Sequence, residues 1–335
     1  MIFIASAFKW LGLSIASLLI LVILAGVTYR WLGPQAPGPE GELVDVGGFR
    51  LHIHATGTKN NRPTVVMENG GGLPTEFFHW LNEGLQDSLR VVRYDRAGLG
   101  NSDECITPRD PETIAHELHT LLEKAGEEPP YLLAGHSMGG PYIRVFAQLY
   151  PEEVAGLIFL DPTHHNHVEL FHAPKETSFI YRTYVRALGA QAVAADLGIL
   201  SLWDKTFGTP YSGEGLPDEI NHRIKGVISD GKSFRAYQAS TREYYATLAR
   251  SGEANDFGDI PVRVYKAVGT EVQAYGIAPE QTYEGKPHPH QEFAELSTDG
   301  EIIFLYGNHV TIFTKKENAD IICEGILEVA RELAY

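Results

Sequence analysis

Residues 131–149 read YLLAGHSMGGPYIRVFAQL, and this stretch decides the fold. Tyr131–Ala134 is a short apolar run typical of a buried strand, and the residues after the serine have the pattern of a helix. Gly135 and Gly139 flank Ser137 between the two elements. A strand-to-helix turn this sharp brings the two backbones so close that glycine is needed beside it. The stretch therefore predicts a serine at the tip of a tight β–α turn.

Such a turn would make Ser137 chemically useful. A serine hydroxyl is a weak nucleophile until an adjacent base takes its proton, and the tip of the turn is open to such a base. The N–H groups at the start of the following helix point toward any oxyanion that forms there. The alternative is a glycine-rich connection in which the serine has no role. The strand before it and the helix after it favour a nucleophile.

Outside this stretch, strands and helices alternate along the chain. Seven further runs have the composition of strands: Glu42–Val46, Phe49–Ala55, Thr64–Met67, Arg90–Tyr94, Leu157–Leu160, Val262–Val268 and Glu301–Leu305. Helical patterns occupy residues 110–125, 290–297 and 317–333. The alternation predicts an α/β fold with a mostly parallel, eight-stranded sheet that is covered on both faces.

Residues 162–259 break this alternation. They contain no run that indicates a strand, but several stretches suit a helix, such as Phe179–Leu188 and Ser233–Arg250. We therefore expect a helical lid at 162–259, inserted into a core made of residues 42–161 and 260–335.

The amino terminus differs from the rest of the chain. Trp10–Tyr29 is a run of 20 residues without charge between Lys9 and Arg30, and a helix of that length spans the roughly 30 Å hydrocarbon core of a bilayer. We expect residues 1–35 to be a single-pass membrane anchor with its flank, and 36–41 to be a stiff linker. A cleaved signal peptide and a buried helix are the alternatives. The charge asymmetry is weak, and a catalytic domain outside the cytoplasm is the orientation that we expect.

Composition restricts the partners and cofactors. Lys9 and Arg30 are the two basic residues of the first 35, which leaves 25 basic against 43 acidic residues in the remainder. A domain this acidic should repel nucleic acid. Four histidines have spacings that match no regular metal-binding face, so we expect them at the mouth of a pocket and expect no metal or cofactor: His164, His165, His167 and His172.

Together these motifs resemble the α/β-hydrolase superfamily, in the branch of lipase- and esterase-like proteins with a GHSMGG turn. Asn69–Gly72 stands where that family has its oxyanion-hole loop, and residues 94–103, YDRAGLGNSD, resemble its Tyr-Asp-x-Arg-Gly-x-Gly-x-Ser loop. Gly307-Asn308-His309 stands where the catalytic histidine follows the last strand. The resemblance covers residues 42–161 and 260–334.

The resemblance implies a catalytic triad in the chain order serine, acid, histidine. His309 would be the base. Two acids compete for the third place: Asp161, at the end of the strand after the nucleophile helix, and Glu271, after the next strand. We prefer Asp161, because lipase-like members of the family that keep the acid after this strand place it at a similar distance. The N–H groups of Met138 and Gly71 would form the oxyanion hole.

The predicted function is hydrolysis of ester-type acyl bonds in a small molecule, most simply a neutral or apolar one, by a carboxylesterase- or lipase-like mechanism. A serine nucleophile argues against the dehalogenase and epoxide-hydrolase branches of the family, which attack through aspartate. An aminopeptidase or thioesterase of the same fold is an alternative. A binding or receptor protein that keeps the fold without catalysis is another, and the oligomeric state stays open.

Overall fold

The computed structural model describes residues 2–32, 40–104, 107–208, 213–253, 256–269, 282–283 and 286–334. The strands are β1 (Glu42–Asp45), β2 (Arg50–Thr56), β3 (Thr64–Glu68), β4 (Val91–Asp95), β5 (Tyr131–His136), β6 (Val154–Leu160), β7 (Val262–Val268), β8 (Thr282–Tyr283), β9 (Lys286–Pro287) and β10 (Gly300–Tyr306). The helices are α1 (Ile2–Leu32), α2 (His79–Leu85), α3 (Pro111–Lys124), α4 (Gly139–Leu149), α5 (His167–Leu170), α6 (Phe179–Asp196), α7 (Ile199–Phe207), α8 (Asp218–Ile228), α9 (Gly231–Arg242), α10 (Tyr244–Gly252), α11 (Gln291–Ala294), α12 (Thr311–Thr314) and α13 (Lys316–Glu332). Two 3₁₀ helices lie at Thr75–Phe78 and Pro151–Glu153.

The main sheet has eight strands in the order β1-β2-β4-β3-β5-β6-β7-β10, which confirms the predicted fold class. The β1–β2 and β2–β4 pairs are antiparallel, and the other neighbours are parallel. β8 and β9 pair with each other outside this sheet. In a parallel sheet the carboxyl ends of the strands share one edge, so the loops after β5, β6 and β10 lie at the same edge.

Both faces of the sheet are buried, each by its own helices. Alternate residues of β3 face opposite sides, so Val66 packs in the cluster with α3 and α4, whereas Val65 and Met67 pack in the cluster with α2 and α13. This two-sided burial explains why the central strands are continuous apolar runs.

Some element boundaries differ from the sequence prediction; for example, the helix predicted at 290–297 is limited to Gln291–Ala294. β6 begins at Val154 rather than Leu157, because Val154 still pairs with Tyr131 of β5. The stretch predicted as one helix from Ser233 to Arg250 is two helices, α9 and α10. The hydroxyl of Thr241 donates to the carbonyl of Tyr237 at 2.6 Å, and such side-chain bonds to an earlier carbonyl bend a helix.

Helix α1 contains a stretch, Phe8–Leu32, that is long and apolar enough to cross a membrane, with a mean hydropathy of 2.5. Its side chains stand largely exposed, including Trp10 and Leu18, which does not fit a helix buried in a soluble core. Among the residues of this helix whose burial is described, Gly26 is buried and the half-buried ones lie near it, at 22–23, 27 and 29–30. Of the predicted linker, Glu40 and Gly41 are among the described residues.

Gly139→Ala should destabilise the protein. A Cβ at this position would lie 2.3 Å from the carbonyl oxygen of Glu68, which is backbone and cannot turn away. Overpacking of this kind lowers the free energy of unfolding by about 1–3 kcal/mol. Gly269→Ala is the matched control, because a Cβ there meets nothing within 4 Å. Denaturant titration should show a change within about 0.5 kcal/mol for the control; equal effects of the two substitutions would contradict the close approach.

Candidate active site

Ser137 stands at the turn between β5 and α4 with a strained backbone. Its φ is +54°, a left-handed conformation that non-glycine residues rarely adopt. The turn is held from both sides: Ser137 N–H donates to the carbonyl of Leu160 at 3.2 Å, and its carbonyl accepts from the N–H of Thr163 at 2.9 Å. A Cβ built on Gly135 would lie 2.6 Å from the Gly139 oxygen. The glycines on either side therefore permit the turn for the steric reason inferred from the sequence.

His309 reaches Ser137 from the loop after β10. The Asn308 side chain accepts hydrogen bonds from the N–H groups of Val310 and Thr311, each at 2.9 Å, which fixes this loop. The Nε2 atom of His309 lies 2.8 Å from Ser137 Oγ. The imidazole is about half exposed, so it is open to solvent on the side away from the sheet.

Asp161 follows β6 and completes a line of three side chains. Its Oδ2 lies 2.5 Å from Nδ1 of His309, and its Oδ1 accepts from the N–H of Ala267 at 3.2 Å. Lys266, on β7, forms an ion pair with the same carboxylate. Burial alone would raise the pKa of Asp161, but the hydrogen bond from His309 and the charge of Lys266 outweigh it and hold the pKa well below its usual range. The carboxylate therefore stays ionised.

The structure thus brings together three residues singled out from the sequence: Ser137, His309 and Asp161. The alternative acid, Glu271, lies outside the described residues. Among the described residues, the carboxylate that contacts Nδ1 of His309 belongs to Asp161. The geometry therefore favours Asp161 as the acid.

The two expected oxyanion donors belong to segments that meet beside Ser137. Met138 directly follows Ser137 and is the N-cap of α4. The loop that carries Gly71 approaches from β3, and a Cβ built on Gly70 would lie 3.2 Å from Cβ of Ser137. In the described part of the chain, neither the Met138 N–H nor the Gly71 N–H is engaged in a backbone hydrogen bond outside the regular elements.

Arg96, from the loop after β4, fixes the orientation of the Gly71 peptide. Its guanidinium donates to the carbonyls of Asn69 and Gly70, both at 2.6 Å. The carbonyl of Gly70 and the N–H of Gly71 belong to one planar trans peptide, so they point in opposite directions. Because Arg96 holds the carbonyl, the N–H must point away from Arg96.

Glu68 and Tyr94 anchor that arginine. Arg96 and Tyr94 each donate a hydrogen bond to the buried carboxylate of Glu68, the last residue of β3. Burial raises the pKa of Glu68, and the charge of Arg96 opposes this shift. Sequence reasoning assigned no role to Glu68, although a carboxylate that ends an apolar strand next to a glycine run was a usable signal.

His136 packs against His309 and holds its backbone. Its Nε2 donates to the backbone carbonyl of His309 at 2.8 Å, and the two rings lie 4.7 Å apart. Burial, reinforced by the neighbouring His309, lowers the pKa of His136 to about 3. The His136 ring is therefore neutral at pH 7.

Helices of the 162–259 segment cover the loop that carries Gly71. The ring of Tyr237, on α9, lies over the loop, because a Cβ built on Gly71 would stand 2.9 Å from its Cε2 and one on Gly72 would stand 3.0 Å from its Cγ. Tyr184, on α6, donates to the Tyr237 hydroxyl at 3.0 Å. Helices α6 and α9 are therefore joined by a hydrogen bond above this loop.

One of the four histidines departs from the expectation of a pocket mouth. His164 is fully buried, because its ring packs against His165 and edge-on against Phe293. Its Nε2 lies 3.2 Å from Oε2 of Glu292, and the three residues His164, His165 and Glu292 could together surround an ion. The N–H of Asn166 donates to Nδ1 of His164, which leaves the ring hydrogen on Nε2. In the described structure no hydrogen bond is formed by this buried Nε2 atom, and the carboxylate of Glu292 is its nearest charged neighbour.

Comparison with known proteins agrees with this geometry. A family model described as alpha/beta hydrolase fold matches residues 63–200. The Bacillus subtilis protein YbdG is 30% identical over 159 residues, which are 46% of this chain and 48% of YbdG. The chain thus spans about half the length of this curated relative.

Solved structures share the fold over most of the chain. Cfl2 from Burkholderia cenocepacia aligns with a TM-score of 0.63 at 21% identity, over 87% of this chain and 95% of Cfl2. A thermophilic esterase from Thermogutta terrifontis aligns with a TM-score of 0.58 at 19% identity, over 86% and 95% respectively. These findings establish the fold and support hydrolase activity in general.

Arg96→Met should strongly destabilise the protein, because it leaves the buried Glu68 carboxylate without its charged partner. Removing one member of a buried ion pair costs about 3–5 kcal/mol. Denaturant titration measures this loss, and the double variant Glu68→Gln with Arg96→Met should recover part of it. Arg50→Met is the control, since the Arg50–Asp103 pair is exposed and such pairs contribute about 0–1 kcal/mol. A smaller loss for Arg96→Met than for Arg50→Met would refute the buried network.

Lys266→Met should change how stability depends on pH. The pKa of Asp161 is lowered in the folded protein, so its ionised form stabilises the fold above the unfolded-state pKa, and this contribution is lost as the pH falls toward the folded-state value. We expect the variant to lose about 1.5–3 kcal/mol at pH 7. The difference from wild type should shrink below about pH 4.

Unfolding at several pH values tests this expectation. Lys316→Met serves as control because it breaks an exposed pair with Asp320. A loss for Lys266→Met that stays constant down to pH 2 would contradict the assigned ion pair.

Proposed function

Because the chain belongs to the α/β-hydrolase superfamily, we propose that it is a serine hydrolase of the carboxylesterase or lipase type, which cleaves ester-type acyl bonds. Ser137 is the nucleophile, His309 the base and Asp161 the acid. One observation carries the proposal: Ser137 Oγ, His309 and Asp161 form a continuous hydrogen-bonded line with distances of 2.8 and 2.5 Å. Nucleophile, base and orienting acid in this order are the requirements of acyl transfer through serine.

The first half of the reaction forms an acyl-enzyme. His309 Nε2 takes the proton of Ser137 as Oγ attacks the ester carbonyl. The carbonyl oxygen gains negative charge and accepts hydrogen bonds from the N–H groups of Met138 and Gly71. His309 then gives the proton to the alcohol oxygen as the bond to the acyl carbon breaks.

The second half returns the enzyme to its starting state. Water replaces the alcohol, His309 takes its proton, and the hydroxide oxygen attacks the acyl carbon. Collapse of the second intermediate releases the carboxylic acid and restores the Ser137 hydroxyl. Throughout, Asp161 orients the imidazole and stabilises its positive charge. No cofactor takes part in these steps.

The same proposal covers location and substrate class. Residues 1–35 anchor the protein in a membrane by a single pass, with the catalytic domain outside the cytoplasm, and residues 162–259 form the lid. The exposed apolar surface of α1 supports anchoring. A membrane location favours a neutral or apolar ester over a highly charged one.

Ser137→Ala should abolish labelling by a fluorophosphonate probe and lower the turnover of p-nitrophenyl esters by about 10⁴-fold or more, since the covalent step needs the hydroxyl. Asp161→Asn should lower kcat by about 10⁴-fold while the protein stays folded, because the histidine would adopt the wrong tautomer.

Glu271→Gln is the matched control, and we expect it to keep its activity. Loss of turnover in Glu271→Gln alone would transfer the acid role to that residue. A folded wild-type protein that neither reacts with the probe nor turns over any ester would favour the non-catalytic alternative, a binding protein with this fold.

A further inference from the structure

The anchor helix touches the rest of the protein through the lid. Gly26 of α1 meets the turn between α6 and α7 so closely that an added Cβ would lie 2.7 Å from the carbonyl oxygen of Leu197. A Cβ on Gly198 would lie 2.2 Å from the Gly26 backbone. Small residues allow two backbones to approach in this way. The two glycines therefore form a backbone-to-backbone crossing.

Charged and aromatic side chains hold the same crossing. Arg30 forms ion pairs with Asp196, at the end of α6, at 3.4 Å and with Asp230, before α9, at 3.1 Å. Lys205, on α7, lies over the ring of Tyr29 at 4.6 Å. The last turns of the anchor thus bind three segments of the lid.

With the charge-free run of α1 taken to span the bilayer, the crossing falls at the depth of the bilayer interface. Gly26 precedes Arg30 by four residues, which corresponds to about 6 Å along a helix. Gly26 still belongs to the charge-free run, and Arg30 is the first charge after it. Interfacial helices lie about 5–10 Å into the boundary between head groups and acyl chains. Helix α7 therefore meets the anchor at that level.

Helix α7 presents large apolar side chains that the protein leaves uncovered. Trp203 is 57% exposed and Phe207 is 69% exposed. They stand one turn apart on the same helical face, with ring centroids 4.6 Å apart. Tryptophan and phenylalanine next to lysine are typical of a helix that lies in a membrane interface.

Helix α9 connects this contact to the candidate active site. Its N-cap, Asp230, pairs with Arg30 of the anchor. Tyr237, two turns later in the same helix, covers the oxyanion loop at Gly71. Seven residues of helix span about 10 Å. The roof of the site thus lies within a short distance of the membrane contact.

We propose that the lid rests on the bilayer, with Trp203 and Phe207 inserted among the lipids of the leaflet that receives the end of the anchor. The lipid bilayer contacts the exposed face of α7. The substrate is then an ester whose acyl chain is held in that bilayer and enters beneath Tyr237. The docking of α7 stands independently of catalysis, whereas the substrate class rests on the proposed function.

Fluorescence quenching tests the docking without any activity. The full-length chain is reconstituted in nanodiscs of phosphatidylcholine brominated along the acyl chains, and the same is done with Trp203→Phe. The fluorescence that Trp203 contributes is the difference between the two proteins. We expect bromination to remove more than half of that difference, since bromine quenches tryptophan on contact. An unquenched Trp203, or a chain that fails to enter nanodiscs, overturns the proposal.

The glycine crossing supplies a matched pair of variants. Gly26→Leu keeps α1 apolar but places side-chain atoms against the backbone of the lid turn, whereas a Cβ at Gly12 meets nothing within 4 Å. We expect Gly26→Leu to lose the quenching of Trp203 and Gly12→Leu to keep it. Equal quenching in the two variants would refute the anchor as the element that positions α7.

Activity tests the substrate class. We expect Trp203→Ser with Phe207→Ser to lower kcat/KM for a long-chain p-nitrophenyl ester held in the bilayer by about tenfold or more, because each inserted side chain favours docking by an amount of that order. Hydrolysis of soluble p-nitrophenyl acetate should stay unchanged. Ile321→Ser, an exposed apolar position on α13, is the control.

The outcomes separate the two proposals. If soluble and bilayer-held esters fall equally in the double variant, the membrane route is wrong and the hydrolase proposal stands. If neither ester is hydrolysed by wild type while Trp203 is quenched, the hydrolase proposal and the substrate class fail, and the docking surface stands.

Discussion

The hydrogen bond between His309 Nε2 and Ser137 Oγ joins residues 172 positions apart in the chain. It forms only because three loops leave the sheet at one edge, those after β5, β6 and β10. The parallel order β5-β6-β7-β10 brings these carboxyl ends together. The left-handed backbone of Ser137 places its hydroxyl at that edge. The loop fixed by Asn308 places the imidazole of His309 within hydrogen-bond distance of it. The remainder of the site is arranged around this single contact.

Two buried ion pairs stabilise the surroundings of that contact. Asp161 with Lys266 holds the acid ionised beside the histidine, and Glu68 with Arg96 holds the loop that carries Gly71. Each carboxylate follows or ends a central strand, and each cation comes from a neighbouring strand or loop. Charges in such positions are costly unless they are paired and hydrogen-bonded, so the pairs must be kept or replaced together.

The sequence predicted the features that depend on local pattern. The glycines around Ser137 and the apolar strands were visible from residue type and spacing, and the eight-stranded sheet agrees with them. The lid at 162–259 stays a prediction. From the sequence, a family resemblance favours Asp161 over Glu271 as the acid, because the residue pattern alone does not show which carboxylate contacts the imidazole. Lys266 lies within a strand pattern and Glu68 follows one, and neither pattern shows which charge the residue will pair with. The Gly26–Gly198 contact joins positions that share no pattern, and only the folded chain brings them together.

Ser137 and His309 follow strands that differ in the number of their neighbours in the sheet. β5, which ends just before Ser137, has a neighbour on each side. Among the described strands, β10, which precedes His309, lies at the edge of the sheet and pairs with β7. Edge strands open at lower free energy than central ones. Separation of β10 from β7 would move the imidazole of His309 away from Ser137, while the helices and the inner strands stay intact. In the proposed hydrolase, a loss of activity would therefore report a change at this edge before the overall helix and sheet content changes.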